Sequence, residues 1–295
     1  MANLRDLRAR KKTVQATKKI TAAMKMIAAA KLRRAQKRAQ DARPYVQLMS
    51  KMLKDLLEAN AKNDIPPLLA GHSQDDVHLI IVATSNRGLC GGFNSHIVKE
   101  AKRKISSLLR QGKQVKIICV GKRGRDQLKQ EYGANILETY DAHDKPVYAD
   151  AERLAKRVIS LFEHKEIECC TLYYNKFLSA LAYEPRHLSL IPFTPLDEDL
   201  KDTSSEKSAL SSIYEYEPDQ EMVLKKLIPE NLCVQLYRAF LENAASEQGA
   251  RMTAMDGATR NAGDMIHSLD LIINRTRQAN ITRELVEIIA GAEAI

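Results

Sequence analysis

Apolar positions at both ends of the chain recur in steps of three and four, whereas the middle breaks into short apolar runs separated by turn residues. The N-terminal series passes through Met24, Ala28, Leu32, Ala35, Ala39, Ala42, Val46, Met49, Leu53 and Leu56 and marks one helix face. The C-terminal series, Val234, Tyr237, Leu241, Ala244, Gln248, Arg251, Met255, Ala258, Ala262, Met265, Leu269 and Ile272, alternates threes and fours as heptad a and d positions do. Two helices that each carry an apolar stripe must bury it, and a folded domain between them makes each the nearest partner of the other. The pattern predicts an antiparallel coiled coil of residues 1–58 with 230–295, and an α/β head domain over 75–218.

No glycine precedes Gly71 and the only early proline is Pro44, so the first helix is expected from about Leu4 to Leu57. At about 1.5 Å per residue it is roughly 80 Å long. Pro44 removes one backbone hydrogen bond and is expected to bend it. From Asn231 onward there is no proline, and a second long helix is expected. Gly249, Gly257 and Gly263 interrupt it within a short stretch, which predicts tight helix packing there.

In the middle, Val77–Thr84 (VHLIIVAT), Val115–Val120 (VKIICV) and Glu168–Tyr174 (ECCTLYY) read as buried strands. Helices are expected from about Ser95 to Gln111 and Ala149 to His164. Shorter strands are expected at Ala180–Pro185, Leu188–Pro192 and Ser212–Tyr216, with a polar loop over Asp197–Ser208. Strand and helix alternate, the signature of a parallel or mostly parallel sheet.

With 295 residues and 44% hydrophobic content the chain can bury a real core. The net charge of +9 is unevenly placed: no acid lies between Asp6 and Asp41, where twelve Lys or Arg residues do. No apolar run reaches the roughly 20 residues a membrane helix needs, so no direct lipid insertion is expected. The Arg-rich start is read as mature protein because the helical pattern continues through it. The five cysteines, Cys90, Cys119, Cys169, Cys170 and Cys233, show no paired spacing and are read as reduced thiols.

Candidate chemistry is thin. Gly88-Leu89-Cys90-Gly91-Gly92 follows a strand as a phosphate-binding turn would, but it fits neither dinucleotide nor P-loop spacing. Gly121-Lys122-Arg123-Gly124-Arg125 is read as a solvated basic loop. The seven histidines show no helical metal-ligand spacing and there is no nucleophile elbow, so neither a metal, a cofactor nor a catalytic residue is assigned. The basic first helix fits a solvated face, a nucleic-acid binder or a partner with an acidic surface. Without interleaved aromatics, nucleic acid is the weaker reading. A freestanding nucleotide-binding enzyme built on the α/β domain is the other alternative.

The segment Ser246–Ala294 resembles the C-terminal signature of gamma subunits of F-type ATP synthases: Gly249-Ala250-Arg251-Met252, Ala258-Thr259, Asn261-Ala262, Asn274-Arg275, Arg277-Gln278-Ala279, Ile281-Thr282 and Glu284-Leu285 fall in register. Lys18-Lys19-Ile20-Thr21, Ala23-Met24, Arg43-Pro44-Tyr45 and Arg87-Gly88-Leu89-Cys90-Gly91-Gly92-Phe93-Asn94 match too, so the resemblance covers the whole chain. Asn86, where the family often carries Asp, and Ile272-Ile273 depart from it.

The resemblance implies a Rossmann-like head on a two-helix shaft, and a non-catalytic rotor without cofactor. The implied partners are three alpha and three beta subunits, epsilon and the c-ring. The implied place is the cytoplasmic side of a bacterial inner membrane, or the matrix side if the origin is organellar. It further implies beta-subunit catch contacts at Arg251, Arg277, Gln278, Thr282 and Glu284, beta-lever contacts at Lys19, Met24 and Lys25, and an apolar bearing at Leu285, Val286, Ile288, Ile289 and Ile295.

Overall fold

The computed structural model describes residues 4–59, 68, 71, 75–193 and 220–293. In chain order the elements are α1 (Leu4–Ala59), β1 (Val77–Ala83), α2 (Phe93–Arg110), β2 (Gln114–Val120), α3 (Lys122–Tyr132), β3 (Ile136–Tyr140), α4 (Tyr148–Glu163), β4 (Cys169–Phe177), β5 (Tyr183–Ile191) and α5 (Gln220–Glu293). The expected strand at Ser212–Tyr216 and the loop over Asp197–Ser208 lie outside the described residues. The chain divides into two compact units, one made of Met1–Ala30 with Arg251–Ile295 and the other of Lys31–Ala250.

The first unit is a helix pair. Lys11 meets Asp270 at 2.5 Å, the Thr21 and Thr259 hydroxyls lie 2.8 Å apart, and Lys25 meets Asp256 at 2.6 Å. As α1 numbers rise, α5 numbers fall, so the helices are antiparallel. Half-buried Leu4, Leu7, Lys11 and Val14 carry the α1 series back to the first turn in the same threes and fours. The α5 series needs one correction. Met265 and Ile272 are 47% and 45% exposed, while Ala262, Ile266, Leu269, Ile273, Thr276 and Asn280 face inward. A straight helix turns once per 3.6 residues, so its inward face drifts ahead of a strict seven-residue repeat.

In the second unit the sheet order is β3-β2-β1-β4-β5, with β1, β2, β3 and β4 parallel and β5 antiparallel to β4. Side chains alternate across β1. Ile80 and Val82 join Ile97, Ala101 and Ile105 of α2 and Leu128 of α3 on one face. Leu79, Ile81 and Ala83 join Leu154 and Val158 of α4 and Leu236, Ala239 and Phe240 of α5 on the other. Both faces are covered, which is why these strands read as continuous apolar runs.

Four expectations need revision here. Ala180–Pro185 and Leu188–Pro192 are not two strands but one, Tyr183–Ile191, and Ala180–Ala182 form the turn that pairs it with β4. The helix expected from Asn231 starts at Gln220 and takes in Pro229. Gly121–Arg125 is not a solvated loop, because α3 starts at Lys122. The three α5 glycines do not share one tight contact. A Cβ on Gly249 would lie 3.0 Å from the Ala180 carbonyl oxygen, whereas one on Gly257 would meet nothing within 4 Å.

Candidate functional site

In a sheet of this topology, ligands enter where strand order reverses, outside the carboxyl ends of the strands. That place is the end of β1 and β4, where the Gly88–Gly92 turn sits. Here the chain fills it with its own polar groups. Asn94 accepts from the Ser85 N–H at 2.9 Å and donates to the Ser85 hydroxyl at 2.8 Å and to Cys90 Sγ at 3.3 Å, all of it buried. On the β4 side, the Asn175 N–H donates to the Asn243 side chain at 3.2 Å, and Ser246 donates to the Asn175 carbonyl at 3.0 Å. Helix α5 is therefore stitched over the end of β4.

The neighbouring helix start is closed in the same way. The first three amides of α3 are the donors an anion would use. Lys122 N–H donates to Asn86 Oδ1 at 3.1 Å, Arg123 N–H to the Ser85 carbonyl at 3.1 Å, and Gly124 N–H to Thr84 Oγ1 at 2.9 Å. Asn86 also clasps the backbone of Ala142. None of these three amides points at an open cradle. The geometry speaks against an anion site at the start of α3.

The surfaces implied for partner contact are arranged otherwise. Residues 281–292 of α5 are exposed on every side, including Leu285, Val286, Ile288 and Ile289. Among the described residues the antiparallel register explains this, since Lys11 stands opposite Asp270 and the described part of α1 starts at Leu4. Ile295 lies outside the described residues. Arg277, Gln278, Thr282 and Glu284 are exposed, with Thr282 Oγ1 donating to the Gln278 carbonyl at 3.0 Å, while Arg251 is half-buried. On α1, Lys19 is exposed, Met24 is half-buried, and Lys25 is tied to Asp256 across the helix pair. Ile20, Met26 and Ile27, which stand exposed between the lysines, are not among the residues implied for the lever contact. Their signal was apolarity off the helical stripe.

The sequence profile of the family described as ATP synthase matches residues 3–295. The ATP synthase gamma chains of Allorhizobium ampelinum and Rhodospirillum rubrum are 49% and 48% identical to this chain, over all of both chains in each case. The chain belongs to the ATP synthase gamma chain family. It is thus a central-stalk rotor subunit of an F-type ATP synthase and not itself the catalyst. Among solved structures, the central stalk and c-ring of Tetrahymena thermophila mitochondrial ATP synthase holds a chain 25% identical, with a TM-score of 0.60, over 81% of this chain and 99% of that one. A chain of the Euglena gracilis mitochondrial ATP synthase shares the fold at 20% identity, with a TM-score of 0.66, over 99% of this chain and 94% of that one. The α/β unit of this gamma-family chain keeps the Rossmann-like layout, with its own polar side chains at the β1/β4 crevice. Among the described residues no helix is long and apolar enough to cross a membrane.

Proposed function

We propose that the exposed end of α5 turns inside a ring of three alpha and three beta subunits, while the α/β unit meets epsilon and the c-ring. The observation that carries this reading is the run of exposed apolar residues Leu285, Val286, Ile288 and Ile289, on a helix segment that has no partner helix beside it among the described residues. An apolar surface without interlocking hydrogen bonds slides against an apolar sleeve with little angular preference. The exposed polar groups of Arg277, Gln278, Thr282 and Glu284, and the half-buried Arg251, provide the angle-dependent contacts, through charge-assisted hydrogen bonds to beta-subunit loops.

A pair of helices lacks threefold symmetry. At any angle the three beta subunits therefore meet three different faces, and each beta conformation is biased by a different contact free energy. By linkage, nucleotide binding and hydrolysis at beta push back on the helix pair. Rotation driven by protons or sodium ions thus couples to ATP chemistry without nucleotide reaching this chain. Lys19, Met24 and Lys25 on α1, joined by exposed Ile20, Met26 and Ile27, are assigned to the acidic lever of beta. Lys25 makes that contact only by sharing or leaving Asp256. The complex holds this chain peripherally, on the cytoplasmic side of the inner membrane.

The test is coupled ATP synthesis in membranes carrying Arg277→Glu together with Gln278→Ala. Loss of synthesis with an intact α/β unit is the expected result. Normal synthesis, or recovery of the chain without alpha and beta subunits under gentle isolation, would refute the reading.

A further inference from the structure

At the amino end of the sheet, opposite the Gly88–Gly92 turn, His78 of β1 is the direct register partner of Cys169 of β4. Asp75, three residues before His78, turns back over the pair. Cys169 Sγ donates to Asp75 Oδ1 at 3.2 Å, and His78 Nε2 lies 2.8 Å from the same oxygen. One ligand atom from each residue falls within 4.8 Å of the other two. His78 is only 8% exposed, and although its Nε2 is close to the carboxylate it is not aligned for a hydrogen bond, so this buried nitrogen has no hydrogen-bond partner. We propose that Asp75 Oδ1, His78 Nε2 and Cys169 Sγ form a binding site for one borderline-soft divalent cation of the zinc class.

The donor set is one carboxylate oxygen, one imidazole nitrogen and one thiolate sulfur, which suits zinc and leaves a fourth tetrahedral position for water. Asp75 is exposed and Cys169 half-exposed, so an ion has a way in and water can reach that position. Each group's protonation can be followed. Burial holds His78 below the usual imidazole range, which keeps the neutral, coordinating form at pH 7. The Lys113 hydrogen bond keeps Asp75 ionised. Burial pushes the Cys169 thiol up to about 12, so the metal must displace its proton, and one proton leaves to solvent for each ion bound.

Lys113 decides whether the site is open. Its ammonium is bound to Asp75, but through Oδ2, while His78 and Cys169 face Oδ1. The two oxygens divide the work: Lys113 orients the carboxylate from behind, as outer partners of ligating carboxylates do, and Oδ1 stays directed at the other two ligands. Two anionic ligands offset the charge of the ion against its repulsive neighbours, Lys113 and, more weakly, Lys104. No spacing rule finds this site, because Cys169 joins Asp75 and His78 only when β4 pairs with β1.

The full chain, reduced and stripped with a chelator, is titrated with Zn²⁺ against a chromophoric competitor, and separately with Co²⁺ under anaerobic conditions. One Zn²⁺ per chain is expected. The Co²⁺ form should show a thiolate-to-metal charge-transfer band and the visible bands of a tetrahedral site. Cys169→Ser should remove the charge-transfer band, and Asp75→Asn should weaken Zn²⁺ binding by roughly tenfold or more. Both side chains are at least partly exposed, and unchanged far-ultraviolet circular dichroism certifies the fold. Absence of stoichiometric Zn²⁺ uptake, an octahedral Co²⁺ spectrum, or a band that survives Cys169→Ser would each overturn the proposal.

Discussion

At the scale of single residues, Thr84 and Gly121 show how the α/β unit closes its own crevice. Thr84 is fully buried at the end of β1, where its hydroxyl donates to the Val120 carbonyl at 3.1 Å and accepts from Gly124 N–H. Thr84→Val keeps the volume but orphans that amide. A cost of about 1–3 kcal/mol is expected, read from urea unfolding of the full chain. Gly121 adopts φ +102, and an added Cβ would stand 2.6 Å from the Thr84 carbonyl oxygen. Gly121→Ala should therefore cost upward of about 2 kcal/mol. Gly257→Ala should do the opposite, adding roughly 0.5–1 kcal/mol, because the site is open and helical. The sequence alone could not rank these glycines. What separates them is a backbone angle and a neighbour from another element.

At the scale of elements, long-period patterns were legible and contact-dependent ones were not. The α1 stripe is followed by Ala28, Leu32, Ala35, Val46, Met49 and Leu53, all buried, because an amphipathic helix on one partner needs only its own 3.6-residue repeat. Helix α3 escaped notice because KRGRDQLKQEY gives the core little beyond Leu128 and Gly124; its start is fixed by Thr84, Ser85 and Asn86 of a different segment. Residues 231–249 of α5 are buried nearly all round, including Asn231, Gln235, Asn243 and Ser246. A heptad reading sees two positions in seven there and misses the rest. The phase of α5 is open to test. Leu269→Ala should cost about 2–3 kcal/mol, whereas Ile272→Ala should stay within about 0.5 kcal/mol. The reverse order in thermal unfolding followed by helix signal would restore the strict heptad. The helix pair should also loosen in acid. The Lys25 hydrogen bond holds Asp256 below its usual 3.8, so its stabilising effect is complete above that value and is lost as pH falls through the lower folded-state pKa. Lys25→Met should flatten this acid limb.

At the scale of the whole molecule, the two units differ in what their sequences must satisfy. The α/β unit has both sheet faces covered, so most of its apolar residues are explained by the fold they make. The end of α5 is the reverse: Leu285, Val286, Ile288 and Ile289 are 54–67% exposed, and folding of the chain alone does not account for them. Side chains this exposed have little to lose on substitution, so Ile288→Asp with Ile289→Asp should shift the unfolding free energy of the isolated chain by no more than about 0.5 kcal/mol per site. Inside an apolar sleeve the same change would bury two carboxylates without partners, at a cost of several kcal/mol each. Assembly with alpha and beta subunits, followed by size-exclusion chromatography, should fall sharply while the free chain melts as before. A double variant that assembles and sustains coupled synthesis like the parent would show that these residues face water in the complex, and the bearing would have to be sought elsewhere on α5.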